Sequence, residues 1–294
     1  MRIKVVKFLL AIGSPILSSM ASETFAKDFL NIAYVEVNSN RLSNVGCYIL
    51  AKTGVPFFHI ATIFAANIDG TDPNSPSLYF NHQVDHLLNE TQQVKFLQNK
   101  GIKVLLTFLG NHQKAGWSGI TEPSAAREFA EKLANTVVKY NLDGIDIDDE
   151  YSRYAPKDPR SMIMIAEALK SNPKFSGKIL SKALFSDSDV FEARYNDKAL
   201  VKFLNYGWEM TYGNVDARGR LAPYLGYGMA KSALAIGVSA NDPAALEPTL
   251  AEVRADGIGA VMVYNVAKDS GPYLSQISSI EYNQQVKALA NCLQ

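Results

Sequence analysis

Short apolar runs alternate with amphipathic stretches along nearly the whole chain, and that alternation limits the fold more than any other feature of the sequence. "NIAYVEVN" (31–38) and "FFHIATIFAANI" (57–68) read as strands, rich in branched and aromatic residues. "IKVLLTFLG" (102–110) is almost continuously apolar, as a strand covered on both faces must be. Further extended runs fall at "KYNLDGIDIDDEYSRY" (139–154), "KILSKALF" (178–185), "LNYGWEMTYG" (204–213), "KSALAIGVSA" (231–240) and "IGAVMVYNV" (258–266). Between them, 83–101, 124–141, 158–172 and 242–257 carry helical apolar spacing, and 282–293 closes the chain with another such stretch. Gly101 reads as a helix stop, and Asp242 is an N-cap candidate with Pro243 at the first helical position.

Strand–helix alternation builds βαβ units. Eight such units in one chain of this length predict a single-domain α/β protein, a (β/α)8 TIM barrel. The competing architecture is a doubly wound open sheet. After the first strand, however, "VNSNRLSN" lacks the glycine-rich phosphate-binding pattern of that fold.

The N-terminus reads as an address. "MRIKVVK" is basic, "FLLAIGSPIL" is apolar but too short to span a bilayer, and "SSMASETFA" offers small residues for cleavage after Ala21 or Ala26. The expected organisation is therefore a signal peptide over 1–26 and a barrel over 27–294, secreted or periplasmic, with no membrane span. An uncleaved buried helix would leave Pro15 and the basic start unexplained. The 29 basic and 29 acidic residues cancel, which argues against a nucleic-acid partner or a membrane held by bulk charge. Nothing indicates a cofactor, and a monomer is the expectation. Export makes a disulfide between Cys47 and Cys292 possible, while two buried free thiols are the plainer reading.

The fourth strand breaks a rule. Acids are depleted from strands and are almost never buried unpaired, yet Asp143, Asp146, Asp148, Asp149 and Glu150 fall within eight positions. Side chains alternate along a strand, so Ile145 and Ile147 share one face while Asp146, Asp148 and Glu150 share the other. In a barrel the isoleucines would face the helices. The acids would climb the interior in steps of roughly 6.5 Å towards the C-terminal rim, where barrel enzymes keep their chemistry. Like charges so close cannot all ionise easily, and a carboxyl with a raised pKa is a general acid near neutral pH. A solvated acidic loop would not need the isoleucines. A divalent-metal site would draw on oxygen ligands of this kind, but no His lies in the cluster. Acid catalysis at a sugar bond is the preferred reading, and no metal ligand is expected.

"DGIDIDDE" fits the DGxDxDxE signature and resembles glycoside hydrolase family 18. With "IAYVEVNSNRLSNVGCYIL", "TIFAANI" and "QNKGIKVLLTFLGNHQKAGW", it is similar to the endo-β-N-acetylglucosaminidase H-like, N-glycan-cleaving branch of that family. The similarity is strongest from about residue 31 to 154 and weakens afterwards, where "YGWEMTYG" and "AVMVYN" still match in kind. The resemblance implies substrate-assisted, retaining hydrolysis of the β-1,4 bond between the two core N-acetylglucosamines of an N-glycan or glycoprotein. It makes Glu150 the acid and then the base, and Asp148 the group that orients the acetamido substituent. Asp146 would share a proton with Asp148, Asp143 would be structural, Asp149 would have no chemical role, and Tyr212 would donate to the acetamido oxygen. Without the resemblance, Met210 and Tyr212 read as core. Asn111, His112, Tyr264 and Asn265 follow strands at the rim and are candidate sugar contacts. Trp117 could stack on a sugar face or simply pack.

Two departures lower the odds of chitin as substrate. Gly213 follows the "MTY" tyrosine where chitinases of the family usually carry Asp, and "VYN" ends the last strand where they usually carry Trp. A chitinase-like hexosaminidase and a glycan-binding lectin of the same fold are the alternatives. The loop 213–228 would select the glycan arms.

Overall fold

The computed structural model describes residues 29–294. The expected signal peptide lies outside the described residues. Eight parallel strands close on themselves: β1 (Leu30–Glu36), β2 (Ile60–Asp69), β3 (Lys103–Gly110), β4 (Gly144–Ile147), β5 (Ile179–Leu184), β6 (Tyr206–Glu209), β7 (Leu234–Ser239) and β8 (Ala260–Tyr264). Closure is made by β1, which pairs with β8 through Leu30↔Ala260 and with β2 through Ile32↔Ile60. This is the (β/α)8 barrel that the alternation implied.

The helices are α1 (His82–Glu90), α2 (Gln93–Gln98), α3 (Pro123–Lys139), α4 (Ser161–Ser171), α5 (Ser188–Glu192), α6 (Ala217–Gly226), α7 (Leu246–Asp256) and α8 (Gly271–Tyr282). After β1 the usual helix is replaced by a 3-10 turn, Leu42–Cys47. Among the described residues no helix is long and apolar enough to cross a membrane.

Strand alternation separates two cores. Outward-facing Ile63, Val104, Leu106, Ile145, Ile147, Leu180 and Ile236 pack under the helices. Inward-facing Ile32, Tyr34, Ile60, Leu105, Ala183, Trp208, Ala235, Ala260 and Met262 fill the barrel. Above that inner apolar layer, Thr62, Thr107, Asp146 and Ser181 are fully buried, so polarity rises towards the rim. Gly144 opens β4 because any Cβ there would collide with the backbone of Ile179 on β5.

The structure corrects several sequence expectations. The helix expected over 83–101 is two helices, because Thr91 donates back to Leu87 O at 2.7 Å and turns the chain between α1 and α2. The helix expected over 282–293 does not form. Tyr282 is instead the last residue of α8, and Asn283 leaves it in the left-handed conformation at φ 51°. Val286–Ala288 then pairs antiparallel with Tyr48–Leu50, and strand pairing overrides the helical spacing. Helix α6 escaped notice because Gly219, Pro223 and Gly226 all lie in it. The plainer reading of the cysteines is also overturned. Cys47 and Cys292 form a disulfide with Cα atoms 5.6 Å apart, tying the turn after β1 to the end of the chain.

Candidate active site

The carboxylates of β4 and of the residues just after it form the ladder: Asp146 lies in the strand, and Asp148 and Glu150 follow its end. Asp146 is fully buried and accepts four hydrogen bonds. Ser181 Oγ at 2.6 Å and Trp208 Nε1 at 2.9 Å bond to Oδ1, while Thr107 Oγ1 at 3.0 Å and the Tyr34 hydroxyl bond to Oδ2. Those donors come from β5, β6, β3 and β1, so the acid is fixed from all sides. Burial pushes its carboxyl up, and the four donors pull it back down.

Asp148 lies one step higher and has no such cradle. It is 2% exposed, and its Oδ1 has no hydrogen-bond partner among the described residues. Burial holds its carboxyl well above the usual range, and the charges of Glu150 and Asp146 add to that. Glu150 is half-buried at the rim. Burial raises it as well, Lys182 opposes the shift, and Asp187 and Asp149 reinforce it. All three carboxyls of the ladder are thus displaced upward. Asp146 and Asp148 make no hydrogen bond to each other.

The loops after β3 and β4 are laced together beside this ladder. Gly110 N donates to Glu150 O at 2.9 Å, and His112 N donates to Tyr151 O at 2.8 Å. Only glycine fits at 110, because a Cβ would lie 2.6 Å from Glu150 O. The exposed His112 ring meets Tyr151 edge-on at 5.4 Å between centroids. Asn111 Nδ2 donates to Asp69 Oδ1 at 3.1 Å.

On the far side of the mouth, Tyr212 and Tyr264 pack with ring centroids 5.1 Å apart. The Tyr264 hydroxyl donates to Glu36, and Asn265 Nδ2 donates to the same carboxylate at 3.2 Å. The Tyr212 hydroxyl has only the sulfur of Met262 at 3.9 Å. Burial, then Tyr264 and Asp148, keep its proton on far above ordinary pH. Tyr212, Tyr264 and Asp148 thus lie close enough for their charges to act on one another, with Asn265 beside Tyr264, while Asn111 and His112 sit on the loop laced to Glu150 and Tyr151.

Two expected residues lie elsewhere. Trp117 is fully buried, donates Nε1 to Phe108 O at 2.7 Å and packs on Phe129 at 5.7 Å. No sugar can reach its face, so packing is its part. Asp143 sits at the base of β4, where it accepts from Val104 N at 2.9 Å and Gln98 Nε2 at 2.9 Å and pairs with Lys103 at 3.0 Å. Asp149 points away from the ladder and accepts from Ser118 Oγ at 2.5 Å and the Tyr154 hydroxyl.

Sequence reasoning missed the Asp146 cradle. Tyr34 and Trp208 were visible as strand residues, and counting inward positions in "NIAYVEVN" and "YGWEM" would have aimed both at the interior. Glu36 closes the inward row of β1 by the same count. Lys182 gave no signal, since it occupies an outward position of a mostly apolar strand.

Known proteins resemble this chain in sequence and in fold. A sequence profile of Glycosyl hydrolases family 18 matches residues 18–241. The chain is 37% identical over 273 residues to an endo-beta-N-acetylglucosaminidase of Flavobacterium sp. (strain SK1022), covering 86% of this chain and 81% of that protein. It is 31% identical over 193 residues to endo-beta-N-acetylglucosaminidase F1 of Elizabethkingia meningoseptica, covering 63% of this chain and 56% of that one. In three dimensions it is similar to Bacteroides thetaiotamicron EndoBT-3987 solved with Man5GlcNAc product, with TM-score 0.72, 20% identity and 89% of this chain covered. This chain spans 62% of the length of that structure. The buried ladder of β4, its donors and the profile match agree: the chain is a glycoside hydrolase and belongs to Glycosyl hydrolases family 18.

Proposed function

We propose that this enzyme is an endo-β-N-acetylglucosaminidase. It would cut the β-1,4 bond between the two core N-acetylglucosamines of N-linked glycans and leave one sugar on Asn. The observation that carries the reading is a pair of unsatisfied groups at the mouth. Asp148 Oδ1 is a buried acceptor without a donor, and the Tyr212 hydroxyl is a donor with only a sulfur 3.9 Å away. An acetamido group offers the complement, an N–H for Asp148 and a carbonyl oxygen for Tyr212. A sugar without that group would leave both unpaired, a loss of about 1–3 kcal/mol for each buried group.

The same geometry supports substrate assistance. The acetamido oxygen attacks its own anomeric carbon as the glycosidic C–O bond breaks, and the proton of Glu150 passes to the departing oxygen. Asp148 faces the N–H of the resulting oxazolinium ring and offsets its positive charge. Glu150, now ionised, takes a proton from water as that water attacks the anomeric carbon and reopens the ring. The upward displacement of Glu150 suits the first step, since a general acid must hold its proton near the working pH. No enzyme nucleophile is used, as the chemistry of this family allows.

The relatives named endo-beta-N-acetylglucosaminidases favour an N-glycan over chitin. Gly213 does too: it turns the chain at φ 78°, where an Asp would be strained. Asn111, His112, Tyr264 and Asn265 would contact the sugars next to the cleaved bond. The basic and then apolar start of the chain supports an exported enzyme, and one chain supplies the whole rim.

The test is mass spectrometry of a high-mannose and a complex-type glycoprotein, each treated with wild type and with Glu150→Gln. A product that keeps a single N-acetylhexosamine, formed only by wild type, is expected. Release of sugars from chitin oligomers with both glycoproteins intact would replace this reading with the chitinase one.

A further inference from the structure

The hydrolysis proposed above gives no part to Lys182, yet the residue is fully buried beside it. Lys182 pairs in register with Ile147 across β4 and β5. Its side chain therefore leaves the barrel on the outer face, where neighbouring strands place Ile145, Ile147 and Leu180. Burying an ammonium is costly unless it is paired, and an apolar side chain would fill the position without that cost.

The pairing is specific. Lys182 Nζ contacts Asp187 Oδ2 at 3.0 Å and donates to Ala183 O at 2.8 Å. Asp187 also accepts from Phe185 N at 2.8 Å, which fixes the turn after β5. On the same outer face, beyond Ile147, Asp149 is held by Ser118 and Tyr154. Glu150 follows directly. The charged groups facing this corner are Asp148 and Asp149 from the segment just after β4 and Asp187 from the turn before α5, with the hydroxyls of Tyr154 and Tyr224 near Asp149 and Asp187. Lys182 is the cation acting on both Glu150 and Asp148.

We propose that Lys182 is a positioning residue for the hydrolysis: from behind the strand end it anchors Asp187 and offsets the crowded carboxylates, so that Glu150 can release its proton in the first step and stand ionised in the second. This rests on the reading of Glu150 as acid and base. Burial works against the Lys182 charge, but Asp187 and Asp149 outweigh it and keep the ammonium protonated. Too tight a hold on the Glu150 proton would serve the first step and block the second.

The experiment is the pH profile of kcat/KM on a high-mannose glycopeptide for wild type, Lys182→Met and Asp187→Asn. The alkaline limb reports the coupled carboxylates that must hold a proton. Lys182→Met should move that limb upward by roughly one pH unit, the size of a unit charge several ångströms away at a protein-like dielectric constant. Asp187→Asn should move it downward. A loosened fold would lower the rate without moving the two limbs in opposite directions. Unmoved limbs, or limbs moving the same way, overturn the proposal. If Lys182→Met does not fold, Asp187→Asn decides alone: a downward limb supports the proposal and an unmoved one refutes it. Full turnover by Glu150→Gln would remove the acid reading itself. A dead Glu150→Gln with unmoved limbs would remove only the part given to Lys182.

Discussion

The four-donor cradle of Asp146 makes a prediction that separates charge from shape. In Asp146→Asn one carboxylate oxygen becomes an NH2 group. Trp208 Nε1 can only donate, so the amide oxygen must take the side of Trp208 and Ser181. The amide nitrogen then faces Thr107 and Tyr34, whose hydroxyls can turn to accept. Tyr34 already accepts from Trp208 Nε1 at 2.8 Å, which keeps that network connected. A hydrogen bond to a charged group contributes about 1 kcal/mol more than a neutral one, so four of them lose about 4 kcal/mol in all. Against this, an ion no longer has to be held out of water, which returns several kcal/mol. Asp146→Asn should therefore lie within about 2 kcal/mol of wild type. Asp146→Ala strands the hydroxyls of Ser181, Thr107 and Tyr34 together, while the Trp208 N–H keeps Tyr34 as its acceptor; at about 1–3 kcal/mol for each stranded group the variant should cost about 4 kcal/mol or more. Urea titration of the three proteins measures this directly. If the Asn and Ala variants were equally unstable, or Ala matched wild type, the account of the cradle would be wrong.

Three further outcomes follow from the same geometry. Asp148→Asn should lower kcat by about 10²–10³-fold, because its charge acts only as the ring becomes cationic; a folded variant with unchanged kcat would exclude Asp148 from the mechanism. Removing the disulfide with Cys47→Ala and Cys292→Ala frees a loop of 245 positions, so equilibrium unfolding should show a loss of up to about 5 kcal/mol, and no loss would mean the unfolded chain is not constrained by it. Burial lifts the Glu281 carboxyl from 4.5 to about 7 while Arg254 opposes, and its Oε1 has no partner. A carboxyl raised on folding stabilises fully below its unfolded pKa, and that contribution is lost as pH rises through the folded one. Wild type should therefore lose about 1–2 kcal/mol relative to Glu281→Gln between acid and pH 8, after allowance for partial exposure; parallel stability curves would contradict this.

The sequence made the barrel and its acidic strand legible for one reason: both depend on local periodicity. Period two separated Ile145 and Ile147 from Asp146 and Asp148, and the structure keeps that separation. Features set by distant partners were hidden. Nothing near residue 286 announces its pairing with Leu50, nor near Cys292 its bond to Cys47, since each is decided by ring closure. Trp117 sits in a loop after a rim strand, where an aromatic could face sugar or core equally well, and only packing against Phe129 decides it. Lys182 is the extreme case: its meaning comes from Asp187 in the next turn and Asp149 just past the end of the neighbouring strand.

The central claim is that the acetamido group of the substrate is the nucleophile, held by Asp148 and Tyr212 beneath the acid Glu150. The most direct measurement is kcat on a series of core substrates whose acetamido group at the cleaved sugar carries zero, one, two or three fluorines. Each fluorine withdraws electrons from the attacking carbonyl oxygen while changing the size of the group little. The account predicts a steep, progressive fall in kcat across the series. A flat series would mean that bond breaking does not use that oxygen, and the parts given to Asp148 and Tyr212 would have to be abandoned.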